Sequence, residues 1–410
     1  MTLPPPGPDA LAHSATPARR IARAIDAGGG WMPFDRWMAQ ALYEPGLGYY
    51  AGPARPFGAG GDFVTAPELS PLFAECVAVQ VSAWFAHTEP VVIEFGAGTG
   101  RLAAGVLETL HALGTPARRY AIVEVSGALR ARQRETLARL VPHALDAVEW
   151  LDALPESIDG VVLANEVLDA MPVRLFELAG GGRHEIGVEI DVGSDPAAPG
   201  FRWAARPADA ELQEAIARAL RAALPPDAPA NADPFEPLGP GPYRSELGLQ
   251  AQAWMGTVGG ALRQGAMLLI DYGFPAREYY HPQRDGGTLV AHRRHRVHAE
   301  VLRWPGLQDV TAHVDFSALA RAAGEAGLDT IGYLSQARFL LNCGLLDRLA
   351  EATRDAPDGP RDAQAVRALG AVQTLLSEAE MGELFKVVAF GRGMPTEALG
   401  FLRGDRSGAL

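Results

Sequence analysis

The run Val91-Val92-Ile93-Glu94-Phe95-Gly96-Ala97-Gly98-Thr99-Gly100 constrains this chain more than any other stretch. Its first three residues are β-branched and predict a strand buried on both faces, as in parallel sheets. An acid lies near the carboxyl end, three alternate glycines follow, and an apolar-periodic segment from Arg101 predicts a helix. Strand, glycine turn and helix together predict a ligand-binding corner. Glycine lets backbone approach a ligand closely, and the opening N–H groups of the helix face it.

The spacing discriminates between ligands. A dinucleotide fingerprint needs a third glycine at position 101, which is Arg. A phosphate-cradling P-loop needs Gly-Lys-Ser/Thr, and the single lysine of this chain is Lys386. The pattern Glu-x-Gly-x-Gly-x-Gly suits a ligand without pyrophosphate, such as S-adenosylmethionine. Its amino-acid end is expected along Gly96, Gly98 and Gly100, with Glu94 acting on the ammonium directly or through water. The bland alternative is an ordinary tight strand-to-helix turn.

Tyr120-Ala121-Ile122-Val123-Glu124-Val125 is a second short strand closed by an acid. Its distance from the glycines is that at which the next strand of a doubly wound sheet comes alongside. Glu124 is therefore expected to accept the hydroxyls of an adenosine ribose, in charge-assisted hydrogen bonds.

The chain has 410 residues, a net charge of -13 and two cysteines. Such acidity argues against nonspecific nucleic-acid binding, which needs a basic face. Cys76 and Cys343 have no zinc-type spacing and predict two buried thiols in a reducing compartment. No run approaches the roughly 20 apolar residues that span a bilayer, and Met1–Pro6 lack a secretory apolar core. A cytoplasmic protein without membrane insertion is the expectation. Oligomeric state is left open, a homodimer included.

Residues 1–16 are Pro-rich and expected to be disordered. A helical N-terminal extension, 17–86, carries a Gly-rich loop from Tyr43 to Pro67. Residues 87–172 read as a Rossmann-like core: strand 91–95, helix 101–112, strand 120–125, helix 127–140, a weak strand near 147–150 and strand 160–164. That alternation predicts an α/β parallel sheet. Residues 173–262 read as an inserted α+β region carrying substrate contacts, with three antiparallel strands, a helix at 209–223 and a Pro-rich loop at 225–242. The core resumes over 263–393, with strands at 266–273, 328–333 and 386–390 and a mostly helical insertion at 335–380. A tail, 394–410, ends the chain.

Ligands of open parallel sheets bind beyond the carboxyl ends of strands. Asn165 and Glu166, which close the strand at 160–164, are thus expected to face the cofactor, with Asp169 beside them. If the methyl acceptor is a guanidinium, carboxylates must hold it, offset its charge and take a proton. Glu166 with Asp169 is the candidate catalytic pair. The alternative is that Glu166 caps a following helix while Asp169 satisfies a turn. Asp271 closes another strand on the same edge and is a substrate-binding candidate. His292, His295 and His298 lie at a spacing of three, but Arg293, Arg294 and Arg296 repel a cation, so no metal site is predicted. That segment, 287–298, is read as a loop contacting substrate or an acidic partner, with His292 as a substrate-binding candidate. Asp309 and His313 either reach the cleft or merely shape their loop, and Asp315 is a candidate helix cap.

The motifs Gly61-Asp62-Phe63-x-Thr65-Ala66-Pro67-Glu68, Glu94-Phe95-Gly96-Ala97-Gly98-Thr99-Gly100 and Asn165-Glu166-Val167-Leu168-Asp169-Ala170-Met171-Pro172 occur in that order. Asp271-Tyr272-Gly273 and Gln308-Asp309-Val310-Thr311-Ala312-His313-Val314-Asp315 follow. From about residue 20 to residue 393 the chain resembles the MidA family of class I methyltransferases, whose mitochondrial members assist assembly of respiratory complex I. The resemblance implies an S-adenosylmethionine-dependent fold with a seven-stranded sheet whose last strand, here 386–390, is reversed. It implies that Gly61, Asp62, Phe63 and Thr65 close over the cofactor and that Glu124 holds the ribose. It also implies methylation of a protein arginine, in mitochondrial members that of a 49-kDa-type complex I subunit. Two competing expectations stand beside it: an assembly chaperone that binds the cofactor without turnover, and a small-molecule methyltransferase.

Overall fold

The computed structural model describes residues 4–52, 65–239, 241–354 and 363–410. The chain divides into two compact units. One gathers residues 64–168, 253–273 and 319–410; the other gathers 1–63, 169–252 and 274–318.

The first unit is built on a twisted sheet whose strands we number β1 (Val91–Phe95), β2 (Arg119–Val123), β3 (Val148–Leu151), β4 (Ile158–Asn165), β5 (Leu262–Phe274), β6 (Asp329–Ser335) and β7 (Phe385–Arg392). Their spatial order is β3-β2-β1-β4-β5-β7-β6. Strands β3, β2, β1, β4 and β5 are parallel, and β7 runs antiparallel to both β5 and β6. The order reverses between β1 and β4, where parallel sheets of this kind open a crevice for ligand. Every residue of β1 is buried, as its unbroken apolar run predicts. Helices α1 (Arg101–Ala112) and α2 (Gly127–Leu140) follow β1 and β2. Val92, Ile122, Leu163, Leu268 and Val387, one from each central strand, share a core with Phe73, Val77 and Leu107. Cys76 and Cys343 are both buried there, and burial pushes the Cys76 thiol up to about 12.

The second unit contains a five-stranded antiparallel sheet of Met32–Pro33, Arg174–Ala179, Gly182–Ile190, Phe201–Pro207 and Tyr243–Leu247. The first of its hairpins turns at Gly180-Gly181, whose φ values of 58° and 76° suit the twist of the flanking strands. Helix Ala210–Ala222 is capped by Asp209, which accepts from Leu212 N at 2.8 Å. Among the described residues, no helix is long and apolar enough to cross a membrane.

Three readings of the sequence change. The first helix spans Pro8–Ala27, so residues 8–16, expected to be disordered, are helical. Proline suits a first helical position, and Pro8 occupies it; Pro17 lies buried inside the helix. The expected loop at 287–298 contains a hairpin of Val290–Arg293 and Arg296–His298, turning at Arg294 and His295, both at positive φ. No helix follows Glu166 before the next strand at Arg174, which removes the helix-cap alternative. Asp315 does cap its helix, accepting from Ala318 N at 3.0 Å.

Candidate active site

The glycine turn leaves β1 with Gly96, Gly98 and Gly100 at φ 62°, 53° and 84°. Only glycine adopts that region without strain. A Cβ on Gly96 would stand 2.9 Å from Val167 Cγ2, and one on Gly100 would stand 3.2 Å from Gln133 Cα. The turn is thus pressed between the loop after β4 and helix α2. Helix α1 opens on Gly100 with no side-chain cap, so its first N–H groups are available to a ligand. Thr99 donates its hydroxyl to Glu68, which also lies 3.6 Å from Arg101 Nε. Glu68 reaches the turn from the short helix Ala66–Leu69, whose N-terminal cap position is Thr65. Gly61, Asp62 and Phe63, expected to close over the cofactor, lie outside the described residues.

Glu94 is 2% exposed. Burial drives its carboxyl up to about 7, against the lowering effect of a 2.7 Å hydrogen bond donated by Tyr120. Glu124 stands one residue past β2, also buried. Ser126 N donates to its Oε1 at 2.9 Å, and Gln133 Nε2 donates to its Oε2 at 3.1 Å. Burial raises the Glu124 carboxyl, and those donors with Arg130 offset part of the rise.

Beyond β4, Asn165 Nδ2 donates to Glu166 Oε1 at 3.1 Å. The buried Asn165 Oδ1 accepts nothing among the described residues. Glu166 has φ 54°, one of four non-glycine residues in that region among those described. Strained backbone of this kind persists where its surroundings over-determine it. Here Glu166 N donates to Ile270 O at 2.9 Å. Val167 N and Leu168 N donate to Asp271 Oδ2 at 3.2 and 2.9 Å. Asp271 is fully buried and its Oδ1 accepts from Tyr272 N, so backbone donors engage both oxygens of its carboxylate.

The remaining predicted residues belong to the other unit. Asp169, expected beside Glu166, opens a segment of that unit, where its carbonyl accepts from Ala312 N at 3.0 Å. His292 pairs with Asp309 across two strands of a small sheet, and Tyr50 donates to Asp309 Oδ1 at 2.7 Å. His313 stacks on Phe274 with centroids 5.2 Å apart, and its carbonyl accepts from Tyr279. Among the described residues no cluster of His, Cys, Asp and Glu is arranged for a metal ion.

The sequence reading missed Glu68, Tyr120 and Gln133. Gln133 carried a signal: with Leu129, Thr136 and Leu137 it forms the buried stripe of α2, an amide where an apolar residue is the rule.

A cradle of three positive-φ glycines, an uncapped helix start, a buried acid after the second strand and an orphaned acceptor on Asn165 fit an adenosyl amino acid. Residues 73–334 match the family described as "Putative S-adenosyl-L-methionine-dependent methyltransferase". The chain belongs to this family. A mouse relative, "Protein arginine methyltransferase NDUFAF7, mitochondrial", is 31% identical over 86% of this chain and 79% of its own. The human protein of that name is 30% identical over 86% of this chain and 78% of its own. A COG1565 superfamily protein from Burkholderia thailandensis, crystallised with S-adenosyl-homocysteine, is 50% identical, with a TM-score of 0.88 over all of both chains. S-adenosylmethionine is accordingly the cofactor of this methyltransferase, and the seven-stranded sheet with its reversed β7 is that of the class I fold.

Proposed function

We propose that this methyltransferase modifies an arginine side chain of a protein, and that a 49-kDa-type subunit of respiratory complex I is the first acceptor to try. The observation that carries the reading is the name of the curated relatives, protein arginine methyltransferases matched over 86% of the chain. A cytoplasmic location belongs to the same reading.

When bound, S-adenosylmethionine supplies an electrophilic methyl group. The chain's own residues then have three tasks. Gly96, Gly98 and Gly100, with the opening N–H groups of α1, take the amino-acid end, and Glu94 biases the charge there. Asn165 Oδ1 accepts from the bound group, while Glu124 accepts the ribose hydroxyls. Glu166 holds the guanidinium, whose pKa above 12 keeps it protonated until the new N–C bond forms. Glu166 would take the N–H proton that the guanidinium gives up on methylation and pass it to water. Orientation supplies most of the remaining rate, as in other in-line displacements. Asp271 is assigned as the brace for Glu166.

The test is incubation with methyl-labelled S-adenosylmethionine and lysate of a strain lacking the protein, with Glu124→Ala as control. Label in one protein, mapping to arginine, only with the unmodified enzyme, is the expected result. Label on a metabolite, on lysine, or on nothing despite cofactor binding overturns the arginine reading.

A further inference from the structure

We infer that Gln133 is a positioning residue for cofactor recognition, fixing the direction in which the carboxylate of Glu124 meets the ribose hydroxyls, an inference that rests on the ribose role proposed for Glu124. Gln133 is fully buried in helix α2. Its Nε2 donates both to Glu124 Oε2 and to Gly98 O, each at 3.1 Å. Its Oε1 accepts from Trp150 Nε1 at 2.9 Å, and the Arg134 guanidinium lies over that indole, 4.4 Å from the ring centroid. One amide therefore ties together the turn after β1, the acid after β2 and a residue of β3.

The orientation of this amide is determined by its surroundings. Turned over, its oxygen would face a carboxylate and a carbonyl, and its N–H groups would face an indole N–H. Each oxygen of an ionised carboxylate has about two acceptor directions. Ser126 N takes one on Oε1, Gln133 takes one on Oε2 and Val125 adds a further backbone donor, so Gln133 is the one neutral side-chain donor among those that hold the group. Without Gln133 the carboxylate can rotate about its last bond, and the glycine turn loses its link to the acid.

The charged groups facing Glu124 are Arg130 on α2, whose Nε donates to its carbonyl at 2.6 Å, and Glu94 on β1. Ser126 and Val125 contribute neutral N–H donors. Removing the Gln133 donor disfavours ionised Glu124, so binding that needs the carboxylate should fail at a higher pH.

The experiment measures binding of S-adenosylhomocysteine and of its 2′-deoxy analogue, by calorimetry on the full chain, for wild type and Gln133→Met. Wild type should prefer the ribose ligand by about tenfold or more, as expected for a hydrogen bond to a charged group. In Gln133→Met that preference should shrink to under about threefold, and the acid limb of the affinity profile should move to higher pH. Because preference is a ratio within one sample, partial unfolding leaves it unchanged. If Gln133→Met does not fold, Gln133→Glu keeps the side chain's shape and sets a second acid against Glu124. Its acid limb should likewise move up. An unaltered preference and an unmoved acid limb in whichever variant folds overturn the assignment.

Discussion

Tyr120 donates its phenolic hydrogen to Glu94 at 2.7 Å across adjacent strands of the sheet, with both side chains buried. The pair sits beneath the glycine turn and keeps a carboxyl group out of water. Burial raises that carboxyl from 4.5 to about 7. The raised value makes folding pH-dependent, with a definite sign. Below pH 4.5 both folded and unfolded states carry the proton. Between 4.5 and 7 the unfolded state ionises first, so stability falls as pH rises. The shift amounts to about 3 kcal/mol. Urea denaturation of cofactor-free protein at several pH values should show wild type losing about that much relative to Glu94→Gln over this window. Parallel profiles for the two proteins would falsify the assignment.

Gly98→Val should abolish cofactor binding while the sheet persists. The residue sits at φ 53°, where a β-branched side chain costs roughly 1–3 kcal/mol. The added methyls occupy the space beside the turn. Calorimetry with S-adenosylhomocysteine, alongside a thermal melt, separates lost binding from lost fold. Wild-type affinity in a folded variant would remove the turn from the cofactor site.

Asp271→Asn should weaken both stability and turnover. Three backbone N–H groups converge on the buried carboxylate. An amide supplies one acceptor oxygen and turns two N–H groups toward donors. A loss of roughly 2–4 kcal/mol follows from a broken charge-assisted network. Because Val167 and Leu168 are two of the donors, the rate should also fall, with Glu166 less firmly held. A variant as stable and as active as wild type excludes the brace.

Glu166→Gln separates catalysis from cofactor binding. Loss of a positioned proton acceptor typically costs about a hundredfold or more in rate. The methylation rate should drop by that order while the affinity for S-adenosylhomocysteine stays within about twofold. Equal losses in both would make Glu166 a cofactor contact.

Much of the methyltransferase sheet was legible because its strands are buried on both faces. Runs such as Val91–Ile93 and Val161–Ala164 read as strands without any partner in view. The glycines, at alternate positions after one of these strands, needed only elementary backbone geometry to interpret. The place of Glu124 just past β2 was legible because its distance from the turn reports on the neighbouring strand. Asp271 shows where such reasoning stops. An acid at a strand end can face a ligand or the N–H groups of the next loop, and only tertiary pairing decides between them. The same holds for Glu166 and Asp169, close in sequence yet assigned to different compact units. Pro8–Ala27 was truncated in the sequence reading because Pro17 looks like a helix start, and the burial that retains it mid-helix is not local information.

The strand order has a consequence for synthesis. β7 is the last strand to leave the ribosome, yet it lies between β5 and β6. Until residues 385–392 are made, β5 and β6 each expose an edge able to pair with a foreign chain. A ribosome stalled before Phe385 therefore holds a sheet with a missing interior plank, a nascent state on which holding chaperones should act.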